Sequence, residues 1–141
     1  MTTMTQSISQ PVRRHALATP AFMALFWIAA AVLVVTARAS LDRISPIVSA
    51  AVTIAAIVAA AYAYTRLVAP RAGVTHALSV GITWLVLSIV TELTIAARIG
   101  HGWFTLIGAP DHPLLRNVYL FVWIFAPALF ARGDENHSTS A

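Results

Sequence analysis

Charged residues divide this chain into long apolar runs. No Asp, Glu or Arg occurs between Arg14 and Arg38, between Arg43 and Arg66, between Arg71 and Glu92, or between Arg116 and Arg132. A helix needs roughly 20 apolar residues to cross about 30 Å of hydrocarbon. The pattern therefore predicts four spans, over 20–37, 46–67, 75–97 and 114–131. Thr19-Pro20 and Ser45-Pro46 each read as a capping residue followed by proline at the first helical position. The runs are too long and too few to be strands of a barrel, and backbone groups inside lipid must be satisfied within the segment. The expected fold is all-α: an integral-membrane, up-down four-helix bundle over 16–132, since short connections join antiparallel neighbours. The polar tails, 1–15 and 133–141, read as disordered.

Composition strengthens this reading. The chain of 141 residues is 59% hydrophobic and 10% charged, where a soluble domain carries about a quarter charged residues. All the basic residues are arginine, and they lie near predicted helix ends rather than in a basic stripe, so nucleic acid is not an expected partner. With no cysteine, disulfides, thiol catalysis and thiolate metal sites are excluded. Arg13-Arg14, the first apolar run and Ala37-Arg38-Ala39 resemble a signal peptide. The run is longer than an ordinary signal core and Arg38 sits at the would-be cleavage site, so it reads as a retained span. Five arginines (13, 14, 66, 71, 132) fall on the side of the termini and four (38, 43, 98, 116) on the other. That bias points to cytoplasmic termini, and its smallness keeps dual topology open. Phe22, Tyr62 and Tyr64 on one side, and Trp103, Phe104 and Tyr119 on the other, suggest aromatic belts.

Within the helices three faces stand out. The second run carries Ala51, Ala55, Ala59 and Ala63 at i, i+4 spacing, a small-residue stripe suited to packing inside the bundle or at a dimer seam. The third carries Gly81, Trp84, Ser88 and Glu92 on one face, and the fourth carries Arg116, Tyr119, Trp123 and Pro127. In antiparallel helices Glu92 and Arg116 share a membrane side, each roughly 8–11 Å from the midplane at 1.5 Å rise per residue. An interhelical Glu92–Arg116 pair follows, with Arg98 as a competitor further out. The other reading makes Glu92 a proton or cation site, in a cavity lined by Ser88, Thr91 and Trp84, because an acid within a span is a functional candidate by default.

The connection ARIGHGWFTLIGAPDHP is too apolar for a solvated loop and too broken by Gly and Pro to span. It predicts an interfacial or re-entrant segment anchored by Trp103 and Phe104. His101, Asp111 and His112 are the residues there that could ligate a metal, but their spacing matches no metal motif and no metal is expected. No span carries a histidine near its centre for haem, so no cofactor is expected either. No nucleophile elbow, paired carboxylates, phosphate loop or H-E-x-x-H is present, and nothing points to an enzyme.

From Gly81 onward the chain reads GITWLVLSIVTE, then GHGWFTLI, then LLRNVYLFVWIFAPALFAR. This resembles a recurrent type of small bacterial four-helix inner-membrane protein for which no activity is known. Its pattern is a Trp followed eight residues later by Glu in the third helix, a Gly-Trp loop, an Arg opening the fourth helix and an Ala-Pro near its end. The matching positions are Trp84, Glu92, Gly102, Trp103, Arg116, Ala126, Pro127 and Arg132. The match covers about the last third of the chain and the loop. It implies a multipass protein of the bacterial cytoplasmic membrane and a joint role for Glu92, Trp103 and Arg116. Small multidrug transporters place their acid in the first helix, which here has none. The expected function is a structural or accessory membrane component, with the lipid bilayer and a homo-oligomer or membrane-complex subunit as partners. The alternative is a small proton- or cation-coupled transporter or channel using Glu92.

Overall fold

The computed structural model describes residues 12–100, 106–107 and 113–131, with side chains from Thr19 onward. Among these residues there is no strand. The described residues form four helices: α1 (Val12–Leu41), α2 (Pro46–Leu67), α3 (Val74–Ile99) and α4 (Pro113–Leu129). Three are long and apolar enough to cross a membrane, over Thr19–Leu41, Pro46–Leu67 and Val74–Ile99. With 17 residues, α4 is about 25 Å long. Pro127 lies in its last turn, and beyond it the chain tightens into bonds from Phe130 N to Pro127 O and from Ala131 N to Ala128 O.

Capping residues explain two of the boundaries. Ser45 is extended (φ −158°, ψ 112°), its hydroxyl accepts from Val48 N, and Pro46 opens the helix as the sequence predicts. At the end of α3, Gly100 has φ +98° and its N–H reaches Ala96 O. The expected start at Thr19-Pro20 is not where α1 begins, because the helix already runs from Val12 and carries Pro20 inside it. A proline there withholds one i→i−4 hydrogen bond without ending the helix.

Contacts along the helices fix the arrangement. Met23 meets Trp84 and Trp27 meets Ser88, so α1 and α3 run parallel. Phe26 meets Tyr64 while Asp42 meets Ser49, so α1 and α2 run antiparallel. Tyr62 touches Phe130 near the end of α4, whereas Pro46 and Pro113 share a groove, so α2 and α4 are parallel. Two hairpins, α1–α2 and α3–α4, therefore lie side by side with like helices adjacent. Although 68–73 join them, α2 and α3 do not pack along their lengths. They meet through Tyr64 in the last turn of α2, whose ring lies edge-on to Trp84 and whose hydroxyl is 3.4 Å from His76 Nε2. This corrects the expectation that each short connection joins packed neighbours.

The outside is apolar. Ile28, Val32 and Leu33 of α1, Ile82, Val86, Val90 and Leu93 of α3, and Phe121 and Phe125 of α4 are all exposed. The inside combines large rings with polar groups: Arg38, Ser49, Thr53, Thr65, Ser88 and Glu92 are buried among Trp84, Trp123, Tyr64 and Tyr119. Tyr64 and Tyr119 are therefore core residues rather than members of an interfacial belt. The buried line of α2 is Ser49, Thr53, Ile57, Ala60, Ala61, Tyr64 and Thr65. Ala51, Ala55 and Ala59 are exposed and Ala63 is half-buried, so the alanine stripe does not pack inside. The reason is angular: position 51 stands about 200° around the helix from position 49. The side chains that carry hydroxyls and rings occupy the inner line.

Candidate functional site

The third helix places Trp84, Ser88 and Glu92 one turn apart on its buried face. Trp84 touches every other helix. Its Nε1 donates to Met23 O of α1 at 3.1 Å, and its ring lies edge-on to Tyr64 of α2 and Trp123 of α4. Ser88 is satisfied on both sides, accepting from Trp27 Nε1 at 3.0 Å and donating to Trp84 O at 2.9 Å. The ring chain Phe26–Tyr64–Trp84–Trp123, with edge-to-face geometry at each step, joins all four helices.

Glu92, one turn further on, is 1% exposed. Its Oε2 accepts the backbone N–H of Leu106 at 2.7 Å. Leu106 O in turn accepts Trp123 Nε1 at 3.0 Å. Both main-chain polar groups of Leu106 are thus held by side chains, one from α3 and one from α4. That arrangement lets Leu106 sit in the core with neither its N–H nor its C=O bare. The Leu106 side chain, 2% exposed, joins the core cluster. Of the connection between α3 and α4, residues 106–107 alone are described between Gly100 and Pro113. The loop residues proposed from sequence, His101, Trp103, Asp111 and His112, lie outside the described residues.

A second polar group sits at the same end, where α1 and α3 finish and α2 and α4 begin. Arg38 is buried, its Nε 3.4 Å from Asp42 Oδ2, and its guanidinium carbon lies 5.4 Å from the Tyr119 ring centroid. Ser49 Oγ donates to Asp42 Oδ1. Thr53, one turn along α2, is buried with no hydrogen bond to its hydroxyl among the described residues.

Among the described residues no ion pair is seen between Glu92 and Arg116, and Arg116 and Arg98 are both exposed. Depth explains this. Glu92 is buried and turned to the main chain of 106, while Arg116 stands in the first turn of α4, where its charge keeps contact with the surroundings. Sequence reasoning missed Arg38, Asp42, Ser49 and Leu106. For the first two a signal existed, since Arg and Asp at i, i+4 across a helix end are a natural pair. Among the described residues no group of three His, Asp or Glu side chains could hold a metal. Comparisons with protein-family models, with curated proteins and with solved structures found no match to this chain.

Proposed function

We propose that this chain is a structural or accessory multipass protein of the bacterial cytoplasmic membrane. In this reading all four helices insert, the termini are cytoplasmic, and the Glu92 end faces the opposite side. Glu92 is the latch that holds the α3–α4 connection in the core. The observation that carries the reading is the bond from Leu106 N to Glu92 Oε2. It engages the buried acid in the chain's own fold, and Trp84 and Ser88 on the same face are engaged likewise. The apolar outer surface, with Leu25, Val32 and Phe121 more than half exposed, suits lipid. The outward Ala51, Ala55 and Ala59 offer a surface where a helix of a second copy or of a complex partner can approach closely.

The test separates charge from hydrogen bonding. Glu92→Gln keeps an oxygen acceptor for Leu106 N–H and removes the charge; Glu92→Ala removes both. For a latch, the Gln variant retains fold and thermal stability in detergent or bilayer, and the Ala variant loses stability. Vesicles carrying the wild-type chain and the Gln variant are then compared for proton and cation flux. An intact Gln variant that abolishes a flux seen in wild type assigns Glu92 to transport and overturns the structural role.

A further inference from the structure

The seam between α2 and α4 holds two apolar grooves. The larger, ≈ 470 Å³, is lined by Pro46, Ile47, Ala50, Pro113, Leu114 and Leu115, at the starts of the two helices. Ile47 and Leu114 are each 82% exposed, the most exposed large apolar side chains on these helices. The smaller, ≈ 190 Å³, lies further along the same seam, against Val58, Phe121, Phe125 and Leu129. From position 46 to position 58 is about 18 Å along a helix axis. The two grooves thus follow one another along an apolar seam that starts at the polar end of the helices.

Two exposed arginines flank the helix starts that line the larger groove. Arg43 lies three residues before Pro46, and Arg116 directly follows Leu115. Both are exposed, and among the described residues neither has an acid within ion-pair distance. The described acids at this end are engaged elsewhere: Asp42 with Arg38 and Ser49, and Glu92 with the Leu106 backbone. Two parallel helices also begin here, and their N-terminal dipoles add to the field with the same sign. An apolar seam with two arginines at its start is complementary to an amphiphile with one long chain and an anionic head. A second copy seated on the same seam in a parallel two-fold arrangement would set these arginines against their own counterparts, a like-charge contact that costs affinity.

We propose that the α2–α4 seam is a binding site for an anionic phospholipid. One acyl chain lies along the grooves from Ile47 and Leu114 toward Val58 and Phe125, and the phosphate head is held by Arg43 and Arg116. The site rests on the membrane reading above.

The experiment uses the full chain in neutral detergent, titrated with phosphatidylglycerol, with phosphatidylcholine, or with glycerol phosphate, which carries the anionic head without a chain. Thermal midpoint and bound lipid by native mass spectrometry are the readouts. Phosphatidylglycerol is expected to raise the midpoint and remain bound, while the other two do neither. Each arginine contributes about fivefold in affinity, so R43Q/R116Q is expected to bind about 25-fold more weakly. Ala50→Trp fills the groove and is expected to lose bound lipid; Ile47→Trp, at an exposed position, is the second filling variant should the first misfold. Equal binding of phosphatidylcholine overturns the site, as does full phosphatidylglycerol binding by the arginine double variant or by a folded groove-filling variant. An effect reproduced by glycerol phosphate replaces it with a simple anion site. Recovery of the native chain in the soluble fraction, without detergent, instead defeats the membrane reading on which it rests.

Discussion

Glu92 and Leu106 are joined by a side-chain-to-backbone hydrogen bond, 2.7 Å from carboxylate oxygen to amide nitrogen, across fourteen positions of sequence. Removing the acceptor leaves a buried donor bare, which costs about 1–3 kcal/mol. Glu92→Ala is therefore expected to speed exchange of the Leu106 amide hydrogen by about one order of magnitude or more. Glu92→Gln should leave it close to wild type. Hydrogen exchange resolved at Leu106 decides the matter. Equal protection in the wild type and the Ala variant would show that the bond does not hold the segment.

The other half of the clamp is Trp123, whose indole N–H reaches Leu106 O at 3.0 Å. Trp123→Phe keeps an aromatic ring against Trp84 and removes the donor. It is expected to cost about 1 kcal/mol from the lost bond, together with a packing loss from the smaller ring. Because the two side chains hold one residue, Glu92→Ala and Trp123→Phe are expected to be non-additive. A double-mutant cycle on thermal or denaturant unfolding should return a coupling of at least about 0.5 kcal/mol. Simple additivity would mean that the two bonds hold Leu106 independently.

This clamp marks how far the sequence could be read. Arginines bounding the apolar runs made four helices legible, and Ser45-Pro46 placed one boundary to the residue. The buried face of α3 was equally plain, because Gly81, Trp84, Ser88 and Glu92 recur at helical spacing. The partner of Glu92 was not legible. Charge logic looks for an opposite charge, and Arg116 was the one available on the facing helix, but a carboxylate is satisfied as well by a main-chain N–H, and nothing in a residue's type advertises its backbone. The alanine stripe was legible as a packing face but not as an outward one, for a related reason. Small size permits close packing on either face, whereas Thr53, Ile57 and Tyr64 occupy the inner one. The order of helices around the centre was hidden too, since connection length does not distinguish a neighbour from a diagonal partner.

Trp84 is the point where the two hairpins lock. Trp84→Ala removes ring contacts to Tyr64 and Trp123 and the bond to Met23 O at once. A loss of about 3–5 kcal/mol is expected, the range for truncating a buried large aromatic. Trp84→Phe keeps a ring and forfeits mainly the hydrogen bond, about 1 kcal/mol. Thermal unfolding of the two variants in one detergent should place them far apart, with Phe near wild type. A Phe variant as damaged as Ala would make the Met23 bond, rather than ring packing, the main tie between α1 and α3.

Gly81 in α3 and Gly100 just past its end separate the cost of space from the cost of backbone shape. At Gly81 an added Cβ would lie 1.9 Å from Ile124 O, with the carbonyl carbon at 2.7 Å. The obstacle is helix backbone, which cannot rotate away as a side chain can, so α3 and α4 must move apart. Overpacking of this kind costs about 1–3 kcal/mol, occasionally more. It would also disturb the Trp84–Trp123 contact one turn along. At Gly100 nothing lies within 4 Å of the added atom, but φ is +98°. There the penalty is conformational, about 1–3 kcal/mol for a residue with a Cβ in a backbone region that glycine alone adopts readily, and it falls on the end of α3. Gly81→Ala is therefore expected to shift the near-ultraviolet signal of the tryptophans as well as lower the thermal midpoint. Gly100→Ala should lower the midpoint with that signal unchanged. An unaltered tryptophan signal together with full stability in Gly81→Ala would mean that α3 and α4 do not approach at Gly81 and Ile124 as closely as described.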